Sequence, residues 1–182
     1  MSSTEIALPR VVLLCGEGLS SRVVARRLAE RFDLERVIVE RPPSRRRLIE
    51  GRAKRVGWPA VIDMLAFQVC IAPLLARRSR ARIRELSESL DLRGPPFDER
   101  HVLRVRSVNA PAVAQELRSV RPDVVVINGT RIVGRRVLSS VGPTPFINLH
   151  AGITPRYRGV HGGYWALAEQ RPDLCGVTVH LV

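Results

Sequence analysis

Short β-branched runs alternate with stretches of helical spacing along this chain. Residues 11–15 (VVLLC) and 36–39 (RVIV) bracket a helical pattern over about 21–31. Strand, crossover helix and strand make the rhythm of a parallel sheet, whose strands are apolar throughout because helices cover both faces. Further strands are expected at 101–105, 124–128, 146–149 and 177–182, with helices near 111–119 and 161–169. Together these predict an α/β fold: a Rossmann-like, mostly parallel sheet of about six strands with flanking helices and a helical insertion. The punctuation agrees, since Pro111 suits a first helical turn, Arg121-Pro122-Asp123 precedes a strand, and Gly142-Pro143 breaks the chain before Thr144-Pro145.

Between the second and third strands the chain spends about sixty residues, far more than a compact crossover needs. We place the insertion at about 41–98, within one domain spanning 1–182. Its first part carries Arg41, Arg45, Arg46, Arg47, Arg52, Lys54 and Arg55 against a single acid, Glu50. This is either a phosphate-binding surface or a solvated helix face, and the absence of aromatic residues between the arginines favours the second. Its second part, residues 61–90, starts apolar on all sides (Met64, Leu65, Phe67, Val69, Ile71, Leu74, Leu75) and then turns basic. A helix apolar all round is expected to be buried, against this domain or a second subunit.

Composition narrows the classes. With 30 Lys+Arg against 17 Asp+Glu and 45% hydrophobic residues in 182, the chain is a folded globular protein of net charge +13. Lys54 is the only lysine, so the bias is an arginine bias, and the charge alone is a weak pointer to nucleic acid, which stays possible but not favoured. Cys15, Cys70 and Cys175 form no CxxC pair and no Cys/His cluster, which points to a reduced, cytoplasmic, metal-free protein. The amino terminus lacks the pattern of a secretory signal. The longest nearly apolar run, residues 61–76, has 16 residues and includes Asp63 and Pro73. It falls short of the roughly 20 residues that span a bilayer, so no membrane partner is expected.

Chemistry concentrates near the carboxyl end. An apolar strand ends in Asn148-Leu149-His150, and residues two apart on a strand share a face. In open α/β sheets ligands bind beyond the carboxyl ends of the strands, so both side chains project toward a ligand crevice. Asn offers amide donors to a developing oxyanion and His can move a proton near neutral pH, a pair suited to acyl transfer. On spacing alone, a strand-end Asn and a His packed under the next loop fit equally well. Upstream, Gly16-Glu17-Gly18-Leu19-Ser20-Ser21 follows the first strand and opens a helix, where backbone N–H groups can cradle a phosphate. A tight turn with Ser20 or Ser21 as N-cap explains the same residues, and Glu17 would repel an anion. His161 sits at a helix start beside the strand end, as a substrate contact or an exposed loop histidine; His101 has no constellation around it.

Three blocks then occur in order: Asn148-Leu149-His150; Thr154-Pro155-Arg156-Tyr157-Arg158-Gly159; and Gly176-Val177-Thr178-Val179-His180. With the chain from Asp123 to Val182, they resemble the folate-dependent formyltransferases, the superfamily acting on glycinamide ribonucleotide, methionyl-tRNA and sugar nucleotides. The resemblance implies formyl transfer from 10-formyltetrahydrofolate, a co-substrate, to a small-molecule primary amine, with an amino sugar nucleotide as first choice and glycinamide ribonucleotide or methionyl-tRNA as alternatives. It implies that Asn148 and His150 are catalytic and that Asn128, Gly129, Arg131 and Ile132 hold the folate. It further implies that His180 supports the centre. Gly16, Gly18, Ser20, Ser21 and His161, from their places at helix starts beside the sheet, are the candidate substrate contacts. No metal is implied, and a homo-oligomer is possible. The family's third catalytic group is an Asp following the last of these blocks, beyond Val182, so the chain is expected to be truncated. The rival class is a folate- or partner-binding fragment without catalysis. Residues between about 41 and 98 match none of the better-known branches.

Overall fold

The computed structural model describes residues 7–92 and 94–182, which fall into two units: one built from the chain up to Arg41 and from Gly94 onward, the other from Pro42–Arg93. The first unit holds a six-stranded sheet. Its strands are β1 (Arg10–Gly16), β2 (Asp33–Glu40), β3 (Val102–Val105), β4 (Val124–Asn128), β5 (Phe146–His150) and β6 (Thr178–Leu181). They lie in the order β3-β2-β1-β4-β5-β6, all parallel except β6, which runs antiparallel to β5.

Side chains alternate across this sheet, and both faces are covered. On one face Val12, Leu14, Ile38, Val125 and Ile127 pack with Val113 and Leu117 of helix α5 (Pro111–Val120). On the other, Val11, Leu13, Cys15, Val37 and Val39 pack with Ala25 of helix α1 (Leu19–Ala29). That double burial is why β1 reads as an unbroken apolar run, and fully burying a residue such as Leu14 contributes about 2 kcal/mol. Helix α5 starts at Pro111 and ends at Arg121, which adopts φ 49° before Pro122 stops the helix.

The chain crosses from one side of the sheet to the other where β1 and β4 lie side by side, opening a crevice at their carboxyl ends. Here Gly16 is obligatory, because a Cβ on it would lie 2.6 Å from the carbonyl oxygen of Gly129. Short helices α6 (Arg135–Leu138) and α7 (Gly162–Ala168) follow β4 and β5.

The second unit is helical. It comprises α2 (Arg45–Val56), which packs on α3 (Trp58–Ala66), then a π-helical turn Phe67–Ile71, then α4 (Ala72–Ser89). Trp58–Ser89 is one continuous helical run of 32 residues. The π turn precedes Pro73, whose ring would clash with the carbonyl four residues back in a regular helix; the wider turn removes that conflict. Two expectations change here. The 16-residue count understates the element, which is long and apolar enough by length and composition to cross a bilayer. And this chain itself does not bury the apolar helix: Val61 is buried, but Ile62, Phe67, Val69, Leu74 and Leu75 are exposed, which leaves the second-subunit alternative.

Candidate active site

The antiparallel register of β5 and β6 assembles the centre. It sets Asn148 opposite His180 and His150 opposite Thr178. Asn148 Nδ2 lies 3.1 Å from His180 Nε2, while His180 Nδ1 lies 2.9 Å from the Leu181 carbonyl. The carbonyl can only accept, so His180 carries its proton on Nδ1 and takes a hydrogen bond from the Asn148 amide at Nε2. The Asn148 side chain is thereby fixed with one N–H occupied and a second N–H to donate.

His150 is held by the signature loop. Its Nε2 lies 3.1 Å from the Tyr157 carbonyl, which assigns the proton to Nε2 and leaves the lone pair on Nδ1. Thr178 Oγ1 donates to Gly152 O at 2.7 Å and accepts from Thr154 N at 3.0 Å, so β6 clamps the loop that positions His150. The buried Tyr157 hydroxyl donates to Glu169 Oε2 at 2.8 Å, and burial, then that carboxylate, raises its pKa. Gly152 lets the loop close: a Cβ there would meet Tyr157 O at 2.5 Å and His150 Nε2 at 3.2 Å.

A crevice of about 730 Å³ collects these groups. Asn148, His150, His161 and His180 line it together with Ser20, Asn128, Gly129, Arg131 and Ile132. Apolar walls come from Ile127, Val133, Leu149 and Val160, and among the described residues no Asp or Glu side chain lines it. Most of the expected site residues therefore meet in one place. Gly16, Gly18 and Ser21 do not line it. Ser21 is buried and accepts from Asn128 Nδ2 at 3.1 Å, tying α1 to β4. The N-cap of α1 is Gly18, without a side-chain cap, which replaces Ser20 or Ser21 in that role. Glu17 is paired with Arg104 at 3.0 Å. A second concavity of about 550 Å³, lined by Arg22, Phe32, Phe97 and His101, lies at the opposite ends of the strands and holds none of the signature blocks.

The Arg131 guanidinium is turned toward structure: Nη2 donates to the Arg106 carbonyl at 3.1 Å and Nε lies 3.4 Å from Glu40 Oε1. Glu40 is the residue the sequence reading missed. It ends β2, is 5% exposed, and accepts from the backbone N–H of Val108 and of Arg131, each at 2.9 Å. One buried carboxylate thus fixes two loops at the carboxyl edge of the sheet. The available signal was a lone acid closing the run RVIVE, a place where a charge has to be fully bonded.

Against known proteins, residues 68–182 match the family model described as formyl transferase. The match begins upstream of the stretch that carried the resemblance, inside the helical unit. A methionyl-tRNA formyltransferase of Trichlorobacter lovleyi is 30% identical over 97 residues, covering 50% of this chain and 30% of that protein. One from Anaeromyxobacter sp. (strain K) is 35% identical over 79 residues, 43% of this chain and 25% of that protein. The chain therefore matches less than a third of the length of either relative. Among solved structures, glycinamide ribonucleotide transformylase 1 from Symbiobacterium toebii superposes with a TM-score of 0.53 at 19% identity, over 96% of this chain and 66% of that one. Phosphoribosylglycinamide formyltransferase from Streptococcus pneumoniae TIGR4 gives 0.51 at 18%, over 96% and 74%. The structures share the fold and the family model takes in both the strand-end Asn148 and His150 and the clamping strand β6: the chain belongs to the formyl transferase family.

Proposed function

We propose that the protein transfers a formyl group from 10-formyltetrahydrofolate to a primary amine, with Asn148 and His150 as its catalytic residues. The observation that carries this reading is the pair of strand-end side chains held in fixed orientation by His180 and the Tyr157 carbonyl within one crevice. The co-substrate supplies an activated formyl carbon. The crevice suits it: about 730 Å³ lies in the range of small-molecule sites, with apolar walls for a flat ring and Asn128, Gly129 and Ile132 in its lining. In this reading the second Asn148 N–H donates to the formyl oxygen as negative charge develops there. His150 Nδ1, with its lone pair, accepts the proton of the attacking amine. Ser20 and His161 face the acceptor. The three free cysteines fit a reducing, cytoplasmic setting.

The acceptor we favour is an amino sugar nucleotide. The crevice is sized for small molecules and, among the described residues, no Phe, Tyr or Trp lines it as a platform for a tRNA terminus. A second reading, methionyl-tRNA, is favoured by the names of the two relatives above. Release of tetrahydrofolate is to be measured against a panel of amino sugar nucleotides, glycinamide ribonucleotide and methionyl-tRNA. His150→Ala should lower turnover with the preferred acceptor by roughly 10²- to 10⁴-fold while leaving binding of a folate analogue unchanged. Near-normal turnover in that variant sinks the assignment of His150, and turnover confined to methionyl-tRNA sinks the sugar reading.

A further inference from the structure

The helical unit carries a surface that formyl transfer does not use. From Trp58 to Ala76 the helix has one charged residue, Asp63, and only 6% of its most apolar 18-residue window is buried. The 19 residues of that stretch extend about 28 Å. The exposed apolar side chains are not confined to a stripe. The π turn at Phe67–Ile71 rotates the residues after it relative to Ile62, so Ile62, Phe67, Val69, Ile71, Leu74 and Leu75 spread over a broad face of the helix. So broad a face suits an apolar phase better than a partner packed along one stripe.

Charge says which solvent. Arg45, Arg46, Arg52, Lys54 and Arg55 precede the stretch on α2, and Arg77, Arg78, Arg80, Arg82 and Arg84 follow it on α4. Cations bracketing an apolar core, with an indole at its first residue, complement a bilayer whose headgroups are anionic. Ile71, Leu74 and Leu75 share a concavity with Arg77 and Arg78, so acyl and phosphate chemistry adjoin along one turn.

Topology decides how the helix meets the bilayer. The chain leaves the sheet after β2 and re-enters it at β3, and these are hydrogen-bonded neighbours. Both ends of the helical unit therefore stand on the same side of any membrane. A single crossing at 58–76 would need a second crossing back through residues 77–101, which contain five arginines between 77 and 84, and no bilayer core accepts that segment. From the broad exposed apolar face, the flanking cations and this constraint, we infer that Trp58–Ala76 lies in the plane of an anionic membrane without spanning it. It sinks to the headgroup–acyl boundary while the flanking arginines reach the phosphates. The partner is an anionic phospholipid bilayer.

The test uses the 182-residue chain with vesicles of phosphatidylcholine alone or mixed with phosphatidylglycerol. The protein should float with the mixed vesicles at low salt and not with phosphatidylcholine alone. Exposed Cys70 lies within the apolar stretch and exposed Cys175 outside it. Bound protein should lose Cys70 labelling by a water-soluble maleimide while Cys175 labelling persists. The double substitution Val69→Asp, Leu74→Asp, at positions 74% and 60% exposed, should abolish flotation with an unchanged circular dichroism spectrum. Changing Arg77 and Arg78 to Gln should weaken partition about fivefold per residue. No flotation with anionic vesicles overturns the inference. So does flotation that leaves Cys70 labelling undiminished. So does a dimer in light scattering that protects Cys70 without vesicles, since a second copy would then be the cover.

Discussion

Glu40 offers the sharpest test of how this fold builds its carboxyl edge. Its carboxylate, 5% exposed, receives the N–H of fully buried Val108 and the N–H of Arg131, with the Arg131 guanidinium 3.4 Å away. Glu40→Ala removes the acceptor from both amides at once. Each hydrogen bond to a charged acceptor contributes about 1.5–3 kcal/mol, so losing both removes about 3–6 kcal/mol. Glu40→Ala should cost about that much, a large fraction of the stability of an ordinary domain. Glu40→Gln keeps one accepting oxygen and turns an NH₂ toward the other donor, so about 1–3 kcal/mol is expected. Urea unfolding followed by circular dichroism measures both, through a lowered midpoint at unchanged slope. A folate analogue should also bind the Gln variant more weakly, because Arg131 and its neighbours at the crevice lose their anchor. If Glu40→Ala costs less than about 1 kcal/mol, the two loops are held by something else and the reasoning fails.

Other outcomes follow from the same contacts. Gly152→Ala forces a Cβ to within 2.5 Å of the Tyr157 carbonyl, so it should lower thermal stability and displace His150; a variant with wild-type melting temperature and turnover contradicts the packing described. Burial pushes the Cys15 thiol up to about 12, against the lesser effect of its hydrogen bond to Ser21, so iodoacetamide at pH 8 should modify Cys70 and Cys175 in the native protein and reach Cys15 only after unfolding; mass spectrometry reads the result. Asp98 is held down at about 2, first by its side-chain hydrogen bonds to Arg100. A folded value below the unfolded one means that its stabilisation is complete above about pH 4 and lost as pH falls toward 2, so Asp98→Asn should be slightly less stable than the wild type at neutral pH and converge with it as pH falls through that window; a difference that grows toward pH 2 contradicts the pairing.

The sheet was legible because parallel strands covered on both faces cannot hide their composition. Runs such as VVLLC and VVVIN admit no other placement once turn residues bracket them. The edges drifted where polar residues join a ladder: β2 begins at Asp33, three residues ahead of the expected start at Arg36, because pairing with β1 extends past the buried part. Helix α6 and the 3-10 turn Ser139–Val141 were missed, since four and three residues give no period to read. The helix after Trp58 was read as apolar all round, and the chain itself covers little of it, because periodicity reports what a helix can cover and not which surface covers it.

The site divides along a similar physical line. Asn148 and His150 could be found from spacing because a strand's two-residue period puts them on one face whatever surrounds them. His180 could be found only as a block in a resemblance, because its place beside Asn148 depends on β6 running antiparallel, and register between strands 32 positions apart leaves no local mark. Ser21 and Glu40 lay beyond reach for a further reason. Both are polar residues facing inward, and what each does depends on which backbone or side-chain group arrives opposite it: the Asn128 amide for Ser21, the N–H groups of Val108 and Arg131 for Glu40. Those partners lie 107, 68 and 91 residues away. A sequence announces that such a polar residue must be satisfied; only the folded sheet says by whom, and so which loop it holds in place at the crevice.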